Sequence, residues 1–159
     1  MPIEPNQKIP SVKIKQASAD GGRDVDPAEL FAGKNVIMFS LPGAFTPTCS
    51  SKHLPSYLAR HAELRAKGID LIACLSVNDH HVMQAWAVAN EVGDRIAMLA
   101  DGAAAFTRAL GIDYESPTMG VRARRGVFHI ENGVVKSVDL EQSGKYEVSG
   151  AEACLIKLG

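Results

Sequence analysis

Two nearly continuous apolar segments of strand length constrain the fold of this chain more than any other feature of its sequence. Asn35 to Leu41 and Ile69 to Val77 contain mainly apolar side chains, a pattern typical of central strands buried on both faces of a sheet. Between them, Thr48 to Lys67 carries apolar residues at helical spacing and ends at Gly68, a residue type that commonly terminates helices. Pro55 lies inside this segment, and we expect it to kink or divide the helix.

Shorter segments continue the alternation of strands and helices. Further strands are predicted at Ser11 to Gln16 (as an edge strand), Ile96 to Leu99, Gly126 to Ile130 and Val134 to Leu140, with a loop at Asp20 to Asp24 and a hairpin turn at Glu131 to Gly133. Helices are predicted to begin at the N-caps Asp26, Asp79 and Ser149, the last with Glu152 as a capping box, and a further helix spans Asp101 to Leu110. This order indicates an α/β protein with a thioredoxin-like fold, in which residues 1–159 form a single domain around a central mixed β-sheet flanked by helices.

Charge and cysteine content narrow the classes of function. The 159 residues include 17 basic and 18 acidic side chains, interspersed to a net charge of −1, so we expect neither nucleic acid nor a membrane surface as a partner. No apolar segment is long enough to span a bilayer, and no secretory signal is visible at the start of the chain. Three cysteines are an odd and sparse set, which favours a reducing cytoplasm over a disulfide-bonded exterior.

The segment from Leu41 to Ser50 carries the candidate chemistry. It leaves a buried strand, turns through Pro42 and Gly43, and delivers Cys49 to the first turn of a helix. Free N–H groups and the helix dipole stabilise an anion there, and the thiolate is the reactive form of a cysteine. The hydroxyl of Thr46 is placed to bind either the sulfur or an oxygen of a ligand. A guanidinium from the cluster Arg122, Arg124 and Arg125 would add positive charge and polarise an O–O bond.

The string Pro42-Gly43-Ala44-Phe45-Thr46-Pro47-Thr48-Cys49 resembles the active-site loop of the peroxiredoxin family, whose core pattern is Pro-x-x-x-Thr-x-x-Cys. The residues of this string are similar to those of the type-5 subfamily, which includes the plant and bacterial type-II enzymes. The resemblance covers nearly the whole chain from about Ile9 onward. It continues through His53-Leu54-Pro55, Ala73 to Asp79, Leu99 to Gly102 and Met119 to Arg122.

The resemblance implies a thiol peroxidase that reduces hydrogen peroxide and small alkyl hydroperoxides. Cys49 is then the peroxidatic cysteine, which becomes a sulfenic acid, while Thr46 holds the peroxide and Pro42 shields the pocket from water. Counting back from Asn132-Gly133 places the family's active-site arginine at Arg125. The family has an aromatic residue after this arginine where the chain has Gly126, which puts the packing beside Arg125 in question. Arg122 and Arg124 are then expected to be solvated or interface charges.

The resemblance leaves open which thiol reduces the sulfenic acid. Cys74 lies in an apolar strand and is expected to be an inert core residue. Cys154 is the candidate for an internal resolving cysteine, but it lies inside the last predicted helix, about five residues beyond the family's resolving position, which Ser149 occupies. The default expectation is therefore a one-cysteine cycle with glutathione, glutaredoxin or thioredoxin as the external reductant. The family uses no metal, haem or flavin, and it suggests a homodimer with Phe45 and the residues from Asp79 to His81 as contacts.

Three alternative interpretations remain at the level of the sequence. His53 follows Cys49 by four residues, a spacing compatible with two metal ligands or with a thiol and its base, but local packing or hydrogen bonding of the histidine is the simpler expectation. A thioredoxin-type disulfide reductase would need a second cysteine three residues from Cys49, where the chain has Thr46 and Lys52. A redox-sensing or holdase module that signals through oxidised Cys49 would differ from an enzyme by its lack of turnover.

Overall fold

A computed structural model describes all residues from Met1 to Gly159. Its strands are β1 Ile14–Ser18, β2 Gly21–Val25, β3 Asn35–Ser40, β4 Leu71–Ser76, β5 Ala97–Ala100, β6 Asp113–Ser116, β7 Gly120–Ala123, β8 Gly126–Glu131 and β9 Val134–Leu140. Its α-helices are α1 Pro27–Leu30, α2 Leu54–Ala59, α3 His61–Ala66, α4 His80–Ala89, α5 Ala105–Ala109 and α6 Ala151–Leu158, and a π-helical turn spans Cys49–His53. None of these helices has the length and apolar character needed to cross a membrane.

Seven of the strands form one mixed sheet in the order β2-β1-β5-β4-β3-β8-β9, and β6 pairs with β7 in a separate hairpin. The central pairs β3–β4 and β4–β5 are parallel, whereas β3–β8, β8–β9, β1–β5 and β1–β2 are antiparallel. The predicted thioredoxin-like α/β fold, with a mixed sheet flanked by helices, is confirmed. Since β3 and β4 lie at the centre, the active-site segment that follows β3 emerges from the middle of the sheet.

The strand β3 is buried on both faces, as its apolar sequence predicts. Ile37 and Phe39 point to one core together with side chains from α2, α3, α4 and α6, and Val36 and Met38 point to a second core together with α1 and α5. All four side chains are inaccessible to solvent. Burying each of them stabilises the fold by about 1.5–3 kcal/mol, which makes this strand a rigid base for the residues that follow it.

Two of the predicted helix caps are confirmed by hydrogen bonds. The carboxylate of Asp26 accepts from Ala28 N at 2.9 Å, and that of Asp79 accepts from Val82 N at 2.8 Å. The predicted turn between β8 and β9 is also confirmed, because Asn132 and Gly133 have φ angles of 47° and 75°, as a tight hairpin requires.

The polar segment Asp20 to Asp24 was predicted as a loop, and this prediction is wrong. Its residues from Gly21 onward belong to strand β2. This strand pairs with β1 from Ser18↔Gly21 to Ile14↔Val25, so β2 forms the edge of the sheet and β1 lies inside it. No residue of β2 is buried and two of its five residues are glycines, so the strand carries no apolar alternation that its sequence would reveal.

The long helix predicted from Thr48 to Lys67 is divided. Pro55 is the second residue of α2 and comes directly after the π-helical turn Cys49–His53, so its missing N–H lies where the helix changes from π to α hydrogen bonding. The interruptions are the π-helical turn before α2 and the break at Arg60 between α2 and α3. Gly68, with φ of 91°, ends the segment as predicted.

The predicted N-cap of the last helix is wrong. Gly150 occupies the cap of α6 and makes no side-chain cap hydrogen bond, so the capping box of Ser149 and Glu152 does not form. The Ser149 hydroxyl donates instead to the carboxylate of Glu141 at 2.7 Å. The first N–H of α6, that of Ala151, donates to Ser56 Oγ of α2 at 3.1 Å, so a side chain from another helix satisfies this donor.

Candidate active site

The loop after β3 delivers Cys49 to the start of a helix, as the sequence predicts. Helical backbone begins at Pro47, and the first hydrogen bond of the helix runs from Ser50 N to Thr46 O at 2.9 Å. The amide N–H groups of Thr48 and Cys49 precede this bond and belong to the unpaired donors of a helix N-terminus. Cys49 itself is fully buried. Its sulfur therefore lies where backbone dipoles favour a negative charge.

Arg125 places a guanidinium against the sulfur of Cys49. It precedes β8, whose first residue, Gly126, pairs with Ser40 at the end of β3, so the antiparallel register brings Arg125 beside the loop from Leu41 to Thr48, the candidate catalytic loop. The Nη2 atom of Arg125 donates to Cys49 Sγ at 3.2 Å. A permanent cation at this distance stabilises the thiolate, which is the nucleophilic form of the cysteine.

His53 orients Arg125 and is not free to act as a metal ligand or a base. Its Nδ1 atom lies 2.9 Å from Arg125 Nη1, and its Nε2 atom lies 3.1 Å from the carbonyl oxygen of Ser149. The guanidinium only donates and the carbonyl only accepts, so these partners assign the ring hydrogen to Nε2 and an accepting lone pair to Nδ1. The expected local hydrogen bonding of this histidine is confirmed.

The protonation state of His53 agrees with these contacts. Burial, with a smaller contribution from the charge of Arg125, lowers the pKa of His53 to about 3. The ring is therefore neutral at neutral pH and holds one Arg125 nitrogen while the other reaches the sulfur. No three His, Cys, Asp or Glu side chains of the protein lie close enough together to hold a metal ion.

The carbonyl of Ser149 is a fixed point of the site because two buried donors share it. Besides His53, the hydroxyl of Tyr57 donates to this oxygen at 2.6 Å. The Tyr57 ring stacks on Phe39 of β3 with centroids 4.1 Å apart, so the central strand supports it. The imidazole that holds Arg125 is therefore tied to the rigid part of the sheet.

A cavity of about 500 Å³ opens at the catalytic loop. Three predicted site residues, Pro42, Thr46 and Arg125, line it, together with Pro47, Thr48, Tyr114, Met119, Arg124, Glu141, Gln142, Ser143, Gly144 and Lys145. The Thr46 hydroxyl donates to Gly43 O at 2.7 Å, which leaves its oxygen as an acceptor for the O–H of a bound hydroperoxide. Phe45, next to Thr46, holds a φ of 62° and is 56 % exposed.

Arg122 is held by backbone carbonyls and is not a freely solvated charge, whereas its expected place at an interface stays a prediction. Its Nη1 atom donates to Val77 O at 3.0 Å and to Pro42 O at 3.4 Å, which ties the catalytic loop to the end of β4. Gly43 allows this approach, since a Cβ atom there would lie 3.1 Å from Arg122 Nη1. For Arg124, the side chain lines the cavity and the carbonyl accepts from Ser40 Oγ at 2.7 Å.

Leu140 compensates for the glycine that follows Arg125. Gly126 pairs with Leu140 across β8 and β9, and a Cβ atom at Gly126 would lie 2.6 Å from Leu140 Cδ2 and 2.9 Å from Asp139 O. The space beside the backbone of Gly126 is therefore already filled. The departure from the expected aromatic residue therefore leaves no empty space at Gly126.

The two other cysteines are buried thiols. None of the three cysteines forms a disulfide. Burial raises the pKa of Cys74 well above its ordinary value, and burial, with a smaller contribution from Asp139, raises the pKa of Cys154 to about 11. Cys154 lines a separate cavity of about 380 Å³ that none of Cys49, Thr46 or Arg125 lines. Both residues are protonated at neutral pH and are slow nucleophiles in that form.

The comparisons with known proteins point to one family. The Redoxin family model matches residues 4–155. The chain is 43% identical to peroxiredoxin-2E-2, chloroplastic, of Oryza sativa, over 96% of this chain and 71% of the relative. It superposes on reduced Prx3 of Vibrio vulnificus in complex with H2O2 with a TM-score of 0.94, at 44% identity over 99% of both chains. Peroxiredoxin 5 of Alvinella pompejana gives a TM-score of 0.87, at 32% identity over 99% of this chain and 98% of that one.

Proposed function

Since the chain belongs to the Redoxin family as a peroxiredoxin of the type-II/5 group, and is thus a thiol-dependent peroxidase, we propose that Cys49 is the residue that attacks the peroxide. The observation that carries this assignment is the 3.2 Å contact between Arg125 Nη2 and Cys49 Sγ. Cys49 is also the one cysteine of the chain that begins a helix, whereas Cys74 lies in β4 and Cys154 lies within α6.

The site supports a displacement at the terminal peroxide oxygen. The thiolate of Cys49 forms an S–O bond to this oxygen while the O–O bond breaks, and the sulfur becomes a sulfenic acid. The leaving oxygen takes a proton and departs as water or an alcohol. Thr46 accepts the hydrogen bond of the peroxide O–H, and Arg125 stabilises the negative charge as it moves from sulfur to the leaving oxygen. Pro42 lines the cavity, which supports its expected role of shielding the pocket from water.

An external thiol then completes the cycle. A first thiol attacks the sulfenic sulfur and releases water, and a second thiol breaks the resulting mixed disulfide and restores the Cys49 thiolate. Glutathione, glutaredoxin or thioredoxin would supply these thiols. The raised pKa values of Cys74 and Cys154 support this one-cysteine cycle, because a protonated buried thiol attacks a sulfenic acid slowly.

The one-cysteine cycle is tested by single-turnover oxidation followed by intact mass. We expect both the wild type and Cys154→Ser to gain the mass of one oxygen atom on treatment with one equivalent of hydrogen peroxide. The sulfenic acid should persist in both until glutathione is added. If the wild type instead loses the mass of two hydrogen atoms and Cys154→Ser does not, Cys154 resolves Cys49 and the one-cysteine cycle is wrong.

A homodimer and a cytoplasmic location stay predictions. Phe45 is a large apolar side chain that remains 56 % exposed in the single chain, which supports a contact between two copies at the catalytic loop. His80 and His81 of α4 stack with ring centroids 4.1 Å apart and are the other expected contacts. Sedimentation would test the dimer through a mass of twice 17.0 kDa, and cell fractionation would test the location.

A further inference from the structure

The buried carboxylate of Glu141, which has no part in the proposed reaction steps, holds the backbone on one side of the site. Glu141 follows the last residue of β9 and is 6 % exposed. One of its oxygens, Oε2, accepts four hydrogen bonds. The donors are Glu147 N at 2.8 Å, Val148 N at 2.8 Å, Ser149 N at 2.9 Å and Ser149 Oγ at 2.7 Å.

These four donors keep Glu141 ionised without a salt bridge. Burial acts to raise the pKa of this carboxyl group, but the hydrogen bonds from Ser149, Glu147 and Val148 outweigh burial and hold the pKa below its ordinary value. A charged acceptor with several backbone donors makes strong hydrogen bonds. The backbone from 147 to 149 is therefore held in one conformation by a single side chain.

The segment that Glu141 holds includes the carbonyl that orients the active site. Ser149 donates its N–H and hydroxyl to Glu141 and presents its carbonyl oxygen to His53 Nε2 at 3.1 Å. His53 Nδ1 in turn accepts from Arg125, which donates to Cys49 Sγ. Two hydrogen bonds join Glu141 to Ser149, and one hydrogen bond makes each later step of this relay, from Ser149 to His53, from His53 to Arg125 and from Arg125 to Cys49.

Glu141 also contacts Arg125 through its own backbone. Its N–H donates to Arg125 O at 2.8 Å, so the main chain of the arginine and the orienting carbonyl of Ser149 are held by the same residue. The intervening residues 142–145 form part of the cavity wall. The Tyr146 ring lies edge-on to the His53 ring with centroids 5.3 Å apart. The loop that Glu141 closes therefore also covers the imidazole.

We propose that Glu141 is a positioning residue for the reaction at Cys49, because its carboxylate fixes the Ser149 carbonyl that orients His53 and hence the guanidinium of Arg125 on the sulfur. This inference rests on the proposed role of Cys49. The carboxylate itself touches neither peroxide nor sulfur. Glu141 also lines the cavity, so removal of its negative charge would by itself favour the thiolate and move the pH midpoint down, opposite to the shift expected when Arg125 loses its position.

Glu141→Gln is the direct test, since glutamine keeps the shape of the side chain but turns the ionised acceptor into a neutral amide. The measurement is the second-order rate of Cys49 oxidation by hydrogen peroxide in single turnover, followed across pH, with melting curves to verify folding. We expect a fall in rate of about tenfold to a hundredfold, the scale of a small misplacement of a catalytic group. The midpoint of the pH–rate profile should move to higher pH, because the thiolate loses part of its contact with Arg125.

Glu131→Gln is the matched control. Glu131 ends β8 at the hairpin turn, is exposed, and pairs only with His129 and Lys136, so its loss removes the same charge from the same sheet without touching the relay. Its rate and pH midpoint should match those of the wild type. A folded Glu141→Gln that behaves like this control overturns the proposal. A lower rate with an unchanged pH midpoint also overturns it, since that result assigns Glu141 to the cavity wall alone.

Ser149→Ala tests the same relay if Glu141→Gln does not fold. This variant removes one of the four hydrogen bonds to the carboxylate and keeps the backbone carbonyl, so we expect a smaller fall in rate with a shift of the midpoint in the same direction. An unchanged rate and midpoint would overturn the relay. Cys49→Ser separates this inference from the proposed function, because a wild-type rate that does not depend on Cys49 overturns the function itself.

Discussion

Replacement of Cys49 by serine is expected to reduce the peroxidase rate by about 10³-fold or more, the scale of losing a catalytic nucleophile. A serine hydroxyl has nearly the size of the thiol, so the buried site stays filled. It does not ionise at neutral pH, and Arg125 then has no thiolate to stabilise. The measurement is the rate of hydrogen peroxide consumption with glutathione and glutaredoxin, or with thioredoxin, in excess.

The other two cysteines provide the controls for this experiment. Cys74→Ser and Cys154→Ser remove thiols that are protonated and lie outside the contact with Arg125, so both variants should keep the rate of peroxide reduction within about twofold. A Cys49→Ser variant that still reduces peroxide at the rate of the wild type would refute the assignment of the nucleophile. If Cys74→Ser folds normally but loses most of its rate of peroxide reduction, Cys74 in β4 takes part in the reaction.

Arg125→Lys is expected to lower kcat/KM for hydrogen peroxide by about 10²-fold, although it keeps the positive charge. The guanidinium uses one nitrogen for His53 and a second for Cys49, at 2.9 Å and 3.2 Å. A single ammonium cannot hold both positions with the same geometry, so the charge is no longer fixed on the sulfur. The loss should appear in the oxidation step, measured by stopped-flow in a single turnover.

Arg124→Lys is the neighbouring control for this substitution. The hydrogen bond that Arg124 makes to Ser40 Oγ uses its carbonyl oxygen, so the exchange of side chains leaves it in place. We expect the rate of oxidation by hydrogen peroxide to change by less than about threefold, which corresponds to less than about 0.7 kcal/mol in the barrier. Equal losses in the two variants would show that exchanging either guanidinium for an ammonium has the same effect, and that the contact of Arg125 with the sulfur has no special role.

The buried strands could be predicted from sequence because their burial on both faces leaves an apolar run that few other structures produce. Strand β2 could not, since an edge strand with little buried surface has a polar sequence that resembles a loop. The position of Cys49 followed from a strand, a turn and a helix start, all of them local. Arg125 was selected among three arginines only through the family resemblance, by counting back from the β8–β9 turn, and the antiparallel register of β8 on β3 brings it to the end of the sheet where Cys49 lies.

The hydrogen bonds that hold the site residues in place could not be predicted from the sequence, for a physical reason. His53 acts through a backbone carbonyl 96 residues away, and a carbonyl carries no residue type that a pattern could detect. Ser149 has the sequence of a helix cap, yet a buried carboxylate takes its hydroxyl. Arg122 belongs to a cluster of three arginines that sequence cannot separate, and only the fold shows that it reaches Val77 O and Pro42 O.

The neutral state of His53 makes folding of the protein depend on proton concentration. An exposed histidine has a pKa of about 6.5, whereas the pKa of folded His53 is about 3. The unfolded chain therefore binds more protons between these values, and the stability held by this residue above pH 6.5 is lost progressively as the pH falls toward 3. Between pH 7 and pH 5 the loss amounts to about 2 kcal/mol. The Glu141 carboxylate, with its lowered pKa, adds a loss of the same sign at still lower pH.

The same residue that keeps Arg125 on the sulfur thus makes the folded protein sensitive to acid. Melting temperatures of the wild type should fall between pH 7 and pH 5 by more than those of His53→Gln, which has no group that titrates in this range. Equal pH dependence in the two proteins would place the acid sensitivity elsewhere in the chain.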